Sequence, residues 1–471
     1  MHASSRHRAP VPRHDRRPGR VVAALVLLPI LPLAVLVGCA GRDAGAADSA
    51  LADSSVAART STAADSIVPA QPAACADDDA GLTLPDGFCA AVYADELGGP
   101  RHLAVRPNGD VLVMRMRVPR GDSGGVVVLR DTTGDGRADV RASFGPAGGT
   151  GIRLDGENLY IDATGAILRY RLPADAMRPA GAADTIVSGL PTGGHQAHTF
   201  VLDGRGNLLV NIGSRTNACQ VADRQEGSKG HDPCTELETR AGIWRFDANR
   251  TGQRFSPDAR FATGIRNAVA LALGPGGELW AAQNGRDQLH ENWGELFDER
   301  AGSENPGEEL LQVNQGDDFG WPYCYYSTDH QRMVLAPEYG GDGSEVGRCA
   351  SVKAPVAVFP GHWAPLGLLF YDGRQFPARY HDGVFIAFHG SWNRSGAQAG
   401  FNVTFQPLRD GQAAGQYEVF ASGFPGAGAG SASRQAAEHR PVGLAQASDG
   451  SLLVADDRGG RVYRISYTGS R

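Results

Sequence analysis

Four short clusters of polar residues carry side chains that chemistry often uses. Histidine, arginine and asparagine gathered around one cavity are typical of a polar small-molecule site. His195 is the best candidate for a general base, because a neutral imidazole titrates near working pH; a surface loop histidine is the alternative. The guanidinium of Arg266 suits an oxyanion or a carboxylate, with a salt bridge to a neighbouring element as the alternative. The clusters are Gly194–His198, Gly264–Asn267, Gln283–Asp287 and His439–Arg440.

A recurring sequence phrase indicates which elements hold these clusters. It consists of an apolar strand, a glycine-containing turn and a second strand that ends in small or polar residues. Asp-Gly and Gly-Gly between alternating apolar residues are strong β-hairpin signals. The six copies predict an all-β fold, a six-bladed β-propeller of small sheets packed radially. The copies begin at Arg101, Gly151, His198, Asn267, Leu366 and Pro441.

The spacing of the copies predicts an irregular ring with long inter-blade loops. Successive turn glycines stand between 47 residues (Gly109 to Gly156) and 106 residues (Gly277 to Gly383) apart, whereas regular propeller arrays repeat about every 40–50 residues. The longest insertions are expected between blades 3, 4 and 5, with segment 286–314 following blade 4 and segment 324–349 preceding blade 5. The strand around 88–93 is expected to close the ring. Similar offsets in each copy predict that the polar clusters meet at one rim.

The N-terminus has the composition of a processing signal. Six arginines precede the uncharged apolar stretch 21–37, which ends in a lipobox-like Leu36-Val37-Gly38-Cys39. We expect residues 1–38 to be a lipoprotein signal peptide, Cys39 to be lipidated and residues 39–74 to be a flexible tether. An ordinary signal peptide with an accidental cysteine is the alternative. The propeller then spans 75–471, anchored in the cell envelope on the periplasmic side. Because Ala40 rather than Asp follows Cys39, the outer membrane is favoured.

Cysteine spacing and net charge indicate the kind of cross-links, metal centres and partners to expect. Apart from Cys39, the cysteines are even in number and lie in near pairs, which suggests three disulfides in an exported chain. No CxxC spacing occurs, which argues against a zinc or thiol redox centre. The net charge of −7 does not favour a nucleic-acid partner. The expected pairs are Cys75–Cys89, Cys219–Cys234 and Cys324–Cys349.

Several segments resemble sorbosone dehydrogenase-like proteins. Gly320–Tyr325 is similar to the YGWPYCY segment of that family, Ala364–Gly367 to APLG, and His389–Arg394 to HGSWNR. Arg266-Asn267 resembles its RNP motif, and the similarity runs from about residue 81 to the C-terminus. This resemblance implies a sorbosone/glucose dehydrogenase-type propeller, related to soluble quinoprotein glucose dehydrogenase, that holds pyrroloquinoline quinone (PQQ) and Ca²⁺.

The resemblance also implies roles for individual residues. His195 matches the base that takes the substrate hydroxyl proton, while Arg266 and Asn267 match groups near the reacting quinone carbonyl, where a guanidinium would stabilise developing charge. Asn284 aligns with a residue that contacts the quinone. Arg440 matches an arginine that pairs with a PQQ carboxylate.

Metal ligands are implied in the same way. The backbone carbonyls of Gly285 and Arg286 align with ligands of the cofactor's calcium, and Glu309 with an acidic ligand of a second, structural calcium.

The sequence also departs from the related glucose enzyme. Gly194 stands where an Asp precedes the base, and Val442 replaces a second cofactor-binding arginine. A cofactor-binding Lys has no counterpart, and His389 or Arg394 would have to replace it.

Three functions remain to be weighed. The first is a PQQ-dependent oxidoreductase that removes hydride from a sugar-like alcohol or aldehyde, with an external quinone or cytochrome as electron acceptor. The second is a non-enzymatic envelope propeller that binds a glycan or a protein. The third is a calcium-dependent, lactonase-like hydrolase, which requires several acidic metal ligands near the axis.

Overall fold

Each of the six repeated phrases forms the inner β-hairpin of one propeller blade, as the sequence predicts. The computed structural model describes residues 75–469. The predicted signal peptide (1–38), the lipidation site Cys39 and the tether (39–74) lie outside the described residues. Within 75–469, no helix has the length and apolar composition that crossing a membrane requires.

The strands follow one another in six groups. The first half of the chain contains β1 (Phe88–Ala94), β2 (Gly99–Val105), β3 (Val111–Arg117), β4 (Val126–Arg130), β5 (Val140–Phe144), β6 (Ile152–Asp155), β7 (Asn158–Ala163), β8 (Ala166–Arg171), β9 (Asp184–Ser188), β10 (Phe200–Leu202), β11 (Asn207–Ile212), β12 (Gly242–Asp247), β13 (Gln253–Arg254) and β14 (Arg260–Thr263).

The second half adds the remaining strands and two short helices. They are β15 (Ala270–Leu273), β16 (Leu279–Gln283), α1 (Leu289–Asn292), α2 (Glu299–Glu304), β17 (Glu308–Val313), β18 (Cys324–Ser327), β19 (Arg332–Leu335), β20 (Ala357–Phe359), β21 (Pro365–Phe370), β22 (Gly383–Phe388), β23 (Asn402–Arg409), β24 (Gln412–Ala413), β25 (Glu418–Ala421), β26 (Pro441–Gln446), β27 (Leu452–Asp456) and β28 (Arg461–Tyr467).

Blades 1 to 5 take their strands in chain order, whereas blade 6 uses both ends of the chain. Blade 1 is β2–β5, and blade 2 is β6–β9 with β13 at its edge. Blade 3 is β10, β11, β12 and β14; blade 4 is β15, β16, β17 and β20; blade 5 is β21, β22, β23 and β25, with β24 attached. In blade 6, β26–β28 are joined by β1, which pairs antiparallel with β28. The expected closure of the ring by the early strand is confirmed.

The hydrophobic core consists of layers between neighbouring blades. Central strands such as β16 and β22 are buried along their whole length, because each blade is covered on both faces. The layer between blades 5 and 6 is aromatic, with Phe88 of β1 packed among rings that include Phe376, Phe420 and Tyr467. The close packing of side chains in these layers holds the inner hairpins at fixed positions around the axis.

The long insertions lie inside blade 4 as well as between blades. Segment 286–307, with α1 and α2, connects the second and third strands of blade 4 instead of following that blade. Segment 314–356, with the β18–β19 hairpin, connects the third and fourth strands. Sequence reasoning misplaced these boundaries because the repeated phrase marks only the two inner strands of a blade, and the outer strands β17 and β20 carry no such signal.

Three disulfides confirm the expected pairing. Cys75–Cys89 ties the start of the described chain to β1, with 5.6 Å between Cα atoms. Cys219–Cys234 closes a loop after β11, and Cys324–Cys349 closes the insertion of blade 4. The last two cross-links stiffen loops on the rim that carries the polar clusters.

Phe88→Ala tests how much the closing strand contributes. Phe88 is 3 % exposed, and its ring centroid lies 4.8–5.0 Å from those of Phe376, Phe420 and Tyr467. Its truncation should leave a cavity and lower the free energy of unfolding by about 3–5 kcal/mol. Urea unfolding followed by fluorescence measures this change. Val140→Ala, on the exposed edge strand β5, is the control and should change stability by less than about 1 kcal/mol. Equal effects of the two variants would contradict a structural role for the closure.

Candidate active site

Antiparallel pairing inside each blade brings the predicted clusters to one rim. The start of the innermost strand lies beside the end of the second strand, as in the pairing of Pro441 with Asp456 in blade 6. Asn267 precedes β15 and Asn284 follows β16, and the Asn284 N–H donates to the Asn267 carbonyl at 2.9 Å. Since the six inner strands run in the same direction around the axis, residues at these positions face one shared opening.

The imidazole of His195 is held in one tautomer by Ser214. Its Nδ1 lies 3.0 Å from both the carbonyl oxygen and the Oγ of Ser214. The Ser214 hydroxyl donates its own proton to the Thr216 carbonyl at 2.7 Å, so both groups facing Nδ1 are acceptors. Nδ1 must therefore carry the proton, and Nε2 is the basic nitrogen. Within residues 75–469, Nε2 makes no hydrogen bond.

The charge of His195 is set by its surroundings. Burial, and then the nearby Arg266 guanidinium, lower the pKa of His195 to about 3. The imidazole is therefore neutral near pH 7 and can accept a proton at Nε2. Ser214 takes the orienting position that the sequence left open when Gly194 replaced the expected Asp.

Gly213 allows His195 and Asn267 to approach one another. A Cβ on Gly213 would lie 2.6 Å from the His195 Cβ and 3.0 Å from the Asn267 Oδ1. That Asn267 Oδ1 is buried and has no hydrogen-bond partner in the described chain. An amide oxygen without a donor, beside a free imidazole nitrogen, is an acceptor available to a ligand hydroxyl or N–H.

Arg266 is fully committed to acceptors of the protein itself. It is 3 % exposed, and each of its five N–H groups has a partner, so it is fixed in place. Resemblance predicted that it would meet the cofactor's carbonyl, but every donor is already used, and its positive charge is what remains available. Its partners are the carbonyls of Asn217, Asn284 and Gly285, the Asn217 Oδ1 and the Asp287 Oδ2.

Asp287 ties the rim together. Its Oδ2 accepts from Arg266 at 3.0 Å and from Arg224 at 2.9 Å, and its Oδ1 accepts from the Asn393 amide at 3.0 Å. Burial alone would raise the pKa of Asp287, but Arg266, His362 and Arg224 hold it at about 2. The carboxylate is therefore charged and joins the loops of blades 3, 4 and 5.

A second set of charged residues lies on the blade 6 side of the rim. The Arg440 Nε donates to the His389 carbonyl at 2.8 Å, and Nη2 donates to the Gly390 carbonyl at 2.6 Å. The His389 Nε2 lies 2.8 Å from Asp457 Oδ1, and Arg101 contacts the other oxygen of Asp457 at 2.7 Å. Burial opposes the charge of Asp457, but His389 and Arg101 hold its pKa far below the usual range. Arg440 keeps its Nη1 free of hydrogen bonds to residues 75–469.

Asn284 and Arg394, two further predicted cofactor contacts, lie in different environments. The Asn284 amide lies on the rim and donates to the carbonyls of Asn267 and Pro365. The Arg394 guanidinium instead points to α2, where it donates to the Ser303 carbonyl and pairs with Glu304. Of the two proposed substitutes for the missing Lys, His389 therefore lies beside Arg440, and Arg394 is held behind the rim.

The backbone carbonyls of Gly285 and Arg286 were predicted to hold the cofactor's calcium, and of the two the Gly285 carbonyl is engaged in a hydrogen bond within residues 75–469. The Gly285 carbonyl accepts from Arg266 Nη1 at 2.7 Å, so a cation at this oxygen would stand beside a guanidinium. The Arg286 side chain is buried and contacts both oxygens of Glu338 at 2.6 Å. Among residues 75–469, no three acidic, histidine or cysteine side chains converge as a metal site.

Glu309 occupies a different environment, below the rim. Its Oε2 accepts from the Gln283 amide at 2.8 Å, and burial raises the pKa of Glu309 to about 7. A cavity of about 20 Å³ lies against it and is also lined by Gln283, Tyr325 and the two arginines Arg266 and Arg286. A space of this size holds about one water molecule or one small ion.

Trp392 stands at the mouth of the opening. It is 44 % exposed and precedes Asn393, whose Oδ1 is another buried acceptor without a partner in the described chain. The guanidinium carbons of Arg224 and Arg434 lie 6.0 and 5.8 Å from its ring centroid. An exposed indole offers an apolar face beside polar groups.

Sequence reasoning missed Ser214 and Asp457, and it assigned no role to Asp287, the last residue of the predicted cluster Gln283–Asp287. Each follows the second strand of a repeated phrase, and antiparallel pairing returns that strand end to the rim. The phrase endings therefore carried a usable signal. The partners of these residues, such as Arg224, stand in loops that the repeat does not mark.

Two side chains cross the axial channel below the rim. His102 of β2 lies with Nε2 2.7 Å from the carbonyl of Leu366 in blade 5. Arg153 of β6 donates from Nη2 to the carbonyl of Leu271 in blade 4 at 3.0 Å, and from Nη1 to the Ile152 carbonyl at 2.8 Å. Burial, and then the Arg153 charge, lower the pKa of His102 to about 3.

The TrAA12-like family model matches residues 82–468. The chain belongs to the TrAA12-like family. An uncharacterized protein of Borreliella burgdorferi is 29% identical over 285 residues, covering 59% of this chain and 63% of that protein. A pyrroloquinoline quinone-dependent pyranose dehydrogenase of Coprinopsis cinerea is 26% identical over 440 residues, covering 82% of this chain and 54% of that enzyme. The chain thus spans less than two thirds of these relatives.

Solved structures share the fold of this TrAA12-like chain. A Trichoderma reesei enzyme of carbohydrate-active family AA12, in an iodide structure, matches with a TM-score of 0.67 at 20% identity, covering 82% of this chain and 98% of that one. The holo PQQ domain of the Coprinopsis cinerea pyranose dehydrogenase matches with a TM-score of 0.63 at 20% identity, covering 82% and 97%. The predicted propeller of the quinoprotein sugar dehydrogenase type is confirmed at the level of family and fold.

His102→Gln tests the neutral crossing histidine of the TrAA12-like propeller. Because the pKa of His102 is lower in the folded protein than in the unfolded chain, the unfolded chain binds more protons below about pH 6.5. Stability should fall as the pH drops from about 6.5 towards 3, by up to about 1.4 kcal/mol per pH unit for this one group. Glutamine can still donate to Leu366 and should remove that share of the slope. Urea unfolding across this pH range measures it.

The control is His330→Gln, which replaces an exposed imidazole between β18 and β19. It should leave the slope as in the unmodified protein. If His102→Gln and His330→Gln give the same pH dependence, the burial of a neutral His102 is not its source.

Proposed function

We propose that this chain is a quinoprotein oxidoreductase that oxidises a sugar-like alcohol or aldehyde, with PQQ as cofactor and His195 as general base. The observation that carries the proposal is the His195 imidazole, neutral and fixed with its Nε2 free, beside buried amide oxygens and a group of arginines. Membership of the TrAA12-like family supports the same class. The dehydrogenase activity of the Coprinopsis relative motivates the choice of cofactor.

The charges on the rim fit a flat polycarboxylate such as PQQ. The four arginines Arg101, Arg224, Arg266 and Arg440 form ion pairs with three carboxylates, those of Asp223, Asp287 and Asp457, or lie near them. The free Nη1 of Arg440 is available to donate to such a group, and His389 lies next to Arg440. When bound, the quinone would take two electrons from the carbinol carbon as hydride.

His195 would remove the hydroxyl proton at Nε2 while Ser214 holds Nδ1–H. The pKa of about 3 reflects the burial of the imidazole first and the nearby Arg266 charge second. An anionic group placed beside the imidazole raises its pKa, because an opposite charge favours the protonated form. Loading the cofactor would therefore make His195 a stronger base near neutral pH.

The substrate class follows from the remaining groups at the mouth. The oxygens of Asn267 and Asn393 would accept hydroxyl protons, and the Trp392 indole would cover the C–H face of a sugar ring. Arg266, fixed by Asp287, would contribute its positive charge where the alcohol oxygen loses its proton. An external quinone or cytochrome would then take the electrons from the site.

The envelope location belongs to the same proposal. The lipobox-like Cys39 and the apolar stretch before it support a lipoprotein anchored on the periplasmic side, with the outer membrane favoured. Three disulfides suit an oxidising compartment.

Calcium is proposed at Glu309 only. The Gly285 carbonyl does not fit a cation while Arg266 donates to it, and no step is assigned to calcium there. The resemblance of Glu309 to an acidic calcium ligand supports this proposal, whereas the small cavity against it is also lined by Arg266 and Arg286 and holds no second acidic ligand.

His195→Ala tests the base. Purified protein reconstituted with PQQ should reduce an artificial electron acceptor when aldoses or polyols are added. His195→Ala should lower turnover roughly 100- to 10,000-fold, because the proton has no acceptor, and should leave PQQ affinity within a fewfold. Turnover is followed by dye reduction, and PQQ binding by its absorbance.

His330→Ala is the matched control and should keep full turnover. Failure of the unmodified protein to bind PQQ would contradict the cofactor assignment, and bound PQQ without turnover across the panel would contradict the substrate class. Retained activity in His195→Ala would reassign the base.

Glu309→Gln tests the calcium site independently of activity. The melting temperature should rise as CaCl₂ is added to the unmodified protein, since binding to the folded state alone stabilises by about 2.7 kcal/mol at 100 times Kd. Glu309→Gln removes the carboxylate and should abolish this rise. Glu345→Gln, at an exposed position of the blade-4 insertion, should retain it. An equal rise in all three proteins would place calcium elsewhere.

A further inference from the structure

The end of the axial channel opposite His195 forms a second cavity. The innermost strands begin at the catalytic rim and finish at the other face, so their last residues surround the axis there. These residues line a cavity of about 390 Å³. That volume has room for roughly a dozen water-sized groups. The cavity lies roughly 13 Å along the strands from the rim, at about 3.3 Å per residue.

Apolar side chains from all six blades line this cavity, together with Arg153, Gln446 and backbone groups of the strand ends. Each blade contributes a large apolar side chain, and four of the six remain partly exposed to the opening. These side chains also pack into the core layers between blades, and a cavity that combines partly exposed apolar side chains with a charged group has a lining typical of a small-molecule site. The six side chains are Leu103, Leu154, Leu202, Leu273, Phe370 and Leu444.

Arg153 places a positive charge at the base of this apolar wall. Its guanidinium contacts only the carbonyls of Ile152 and Leu271, and it forms no ion pair with any carboxylate of residues 75–469. Burial lowers the pKa of Arg153 to about 10, so it stays charged near pH 7. Charges in such surroundings normally have a counterion, and this one has none within the described chain.

We propose that this cavity, which we call the distal axial pocket, binds a fatty acid-like molecule. Its alkyl chain lies against the six apolar side chains named above, and its carboxylate pairs with Arg153. Charge complementarity selects the anionic head, and the wall selects the apolar chain. His102, which crosses the channel to Leu366, lies between this pocket and the catalytic rim. The pocket is therefore a site separate from that of the proposed sugar oxidation.

Calorimetric titration of the purified protein with octanoate and with octanol tests the proposal. Octanoate should bind at least tenfold more tightly than octanol, which has the same chain without the charge. Arg153→Gln should weaken octanoate at least tenfold and leave octanol unchanged, and Arg153→Lys should retain most of the difference. Leu202→Glu, at a half-buried position of the wall, should also weaken octanoate by placing a like charge near it.

Arg440→Gln is the matched control, because it removes an arginine from the catalytic rim. It should bind octanoate as the unmodified protein does. Loss of binding in Arg440→Gln would place the carboxylate at the rim and overturn the proposal. Equal affinities for octanoate and octanol, or no binding of either, would overturn it as well. Thermal unfolding of each variant identifies any that fails to fold, and in that case Leu202→Glu and Arg153→Lys decide the question.

Discussion

The antiparallel inner hairpin of each blade is the constraint on which the molecule depends. Because the first strand starts where the second ends, each blade presents two polar positions at one face and apolar strand ends at the other. Six such hairpins in the same orientation turn a repeated sequence pattern into a channel with two chemically different ends. One end carries His195, Asn267 and Asn284, and the other carries a ring of leucines. Neither end belongs to a single blade.

The charged groups on the polar rim differ in whether they are already paired within the protein. Asp287 and Asp457 form ion pairs with arginines and histidines of the protein, and these pairs fix Arg266 and Arg101 in place. The arginines exceed these carboxylates in number, so the opening is positive although the whole chain carries a net charge of −7. A local field of this sign attracts anions to the rim without requiring a basic protein. Burial and then the Arg266 charge keep His195 neutral, and the same positive charge would attract a carboxylate-bearing cofactor.

Much of the architecture was predictable because it repeats. Hairpin turns, the closing strand β1 and the three disulfide pairs all leave local signals in the sequence, and the structure has them as predicted. The polar residues at strand starts, such as His195 and Asn267, could be assigned to one rim from their phase in the repeat. The residues that contact them could not be assigned a role in this way. Ser214 orients His195 through a carbonyl and a hydroxyl; its place at the end of a repeated phrase indicates the rim, but no sequence motif indicates that contact. The outer strands of blade 4 could not be located in the sequence, because long insertions separate them from the repeated phrase.

The seam in blade 6 has a consequence for how the molecule is made. Phe88 of β1 pairs with Tyr467 of β28, so the sheet that seals the ring joins residues separated by nearly the whole propeller. A nascent chain lacking its last strand leaves β1 with an unpaired edge, and an exposed strand edge is a template for misassembly. Contacts this distant in sequence form late, since the loop between them must first be ordered. Blades 1 to 5 can assemble during synthesis, but ring closure has to wait until β28 has been synthesised.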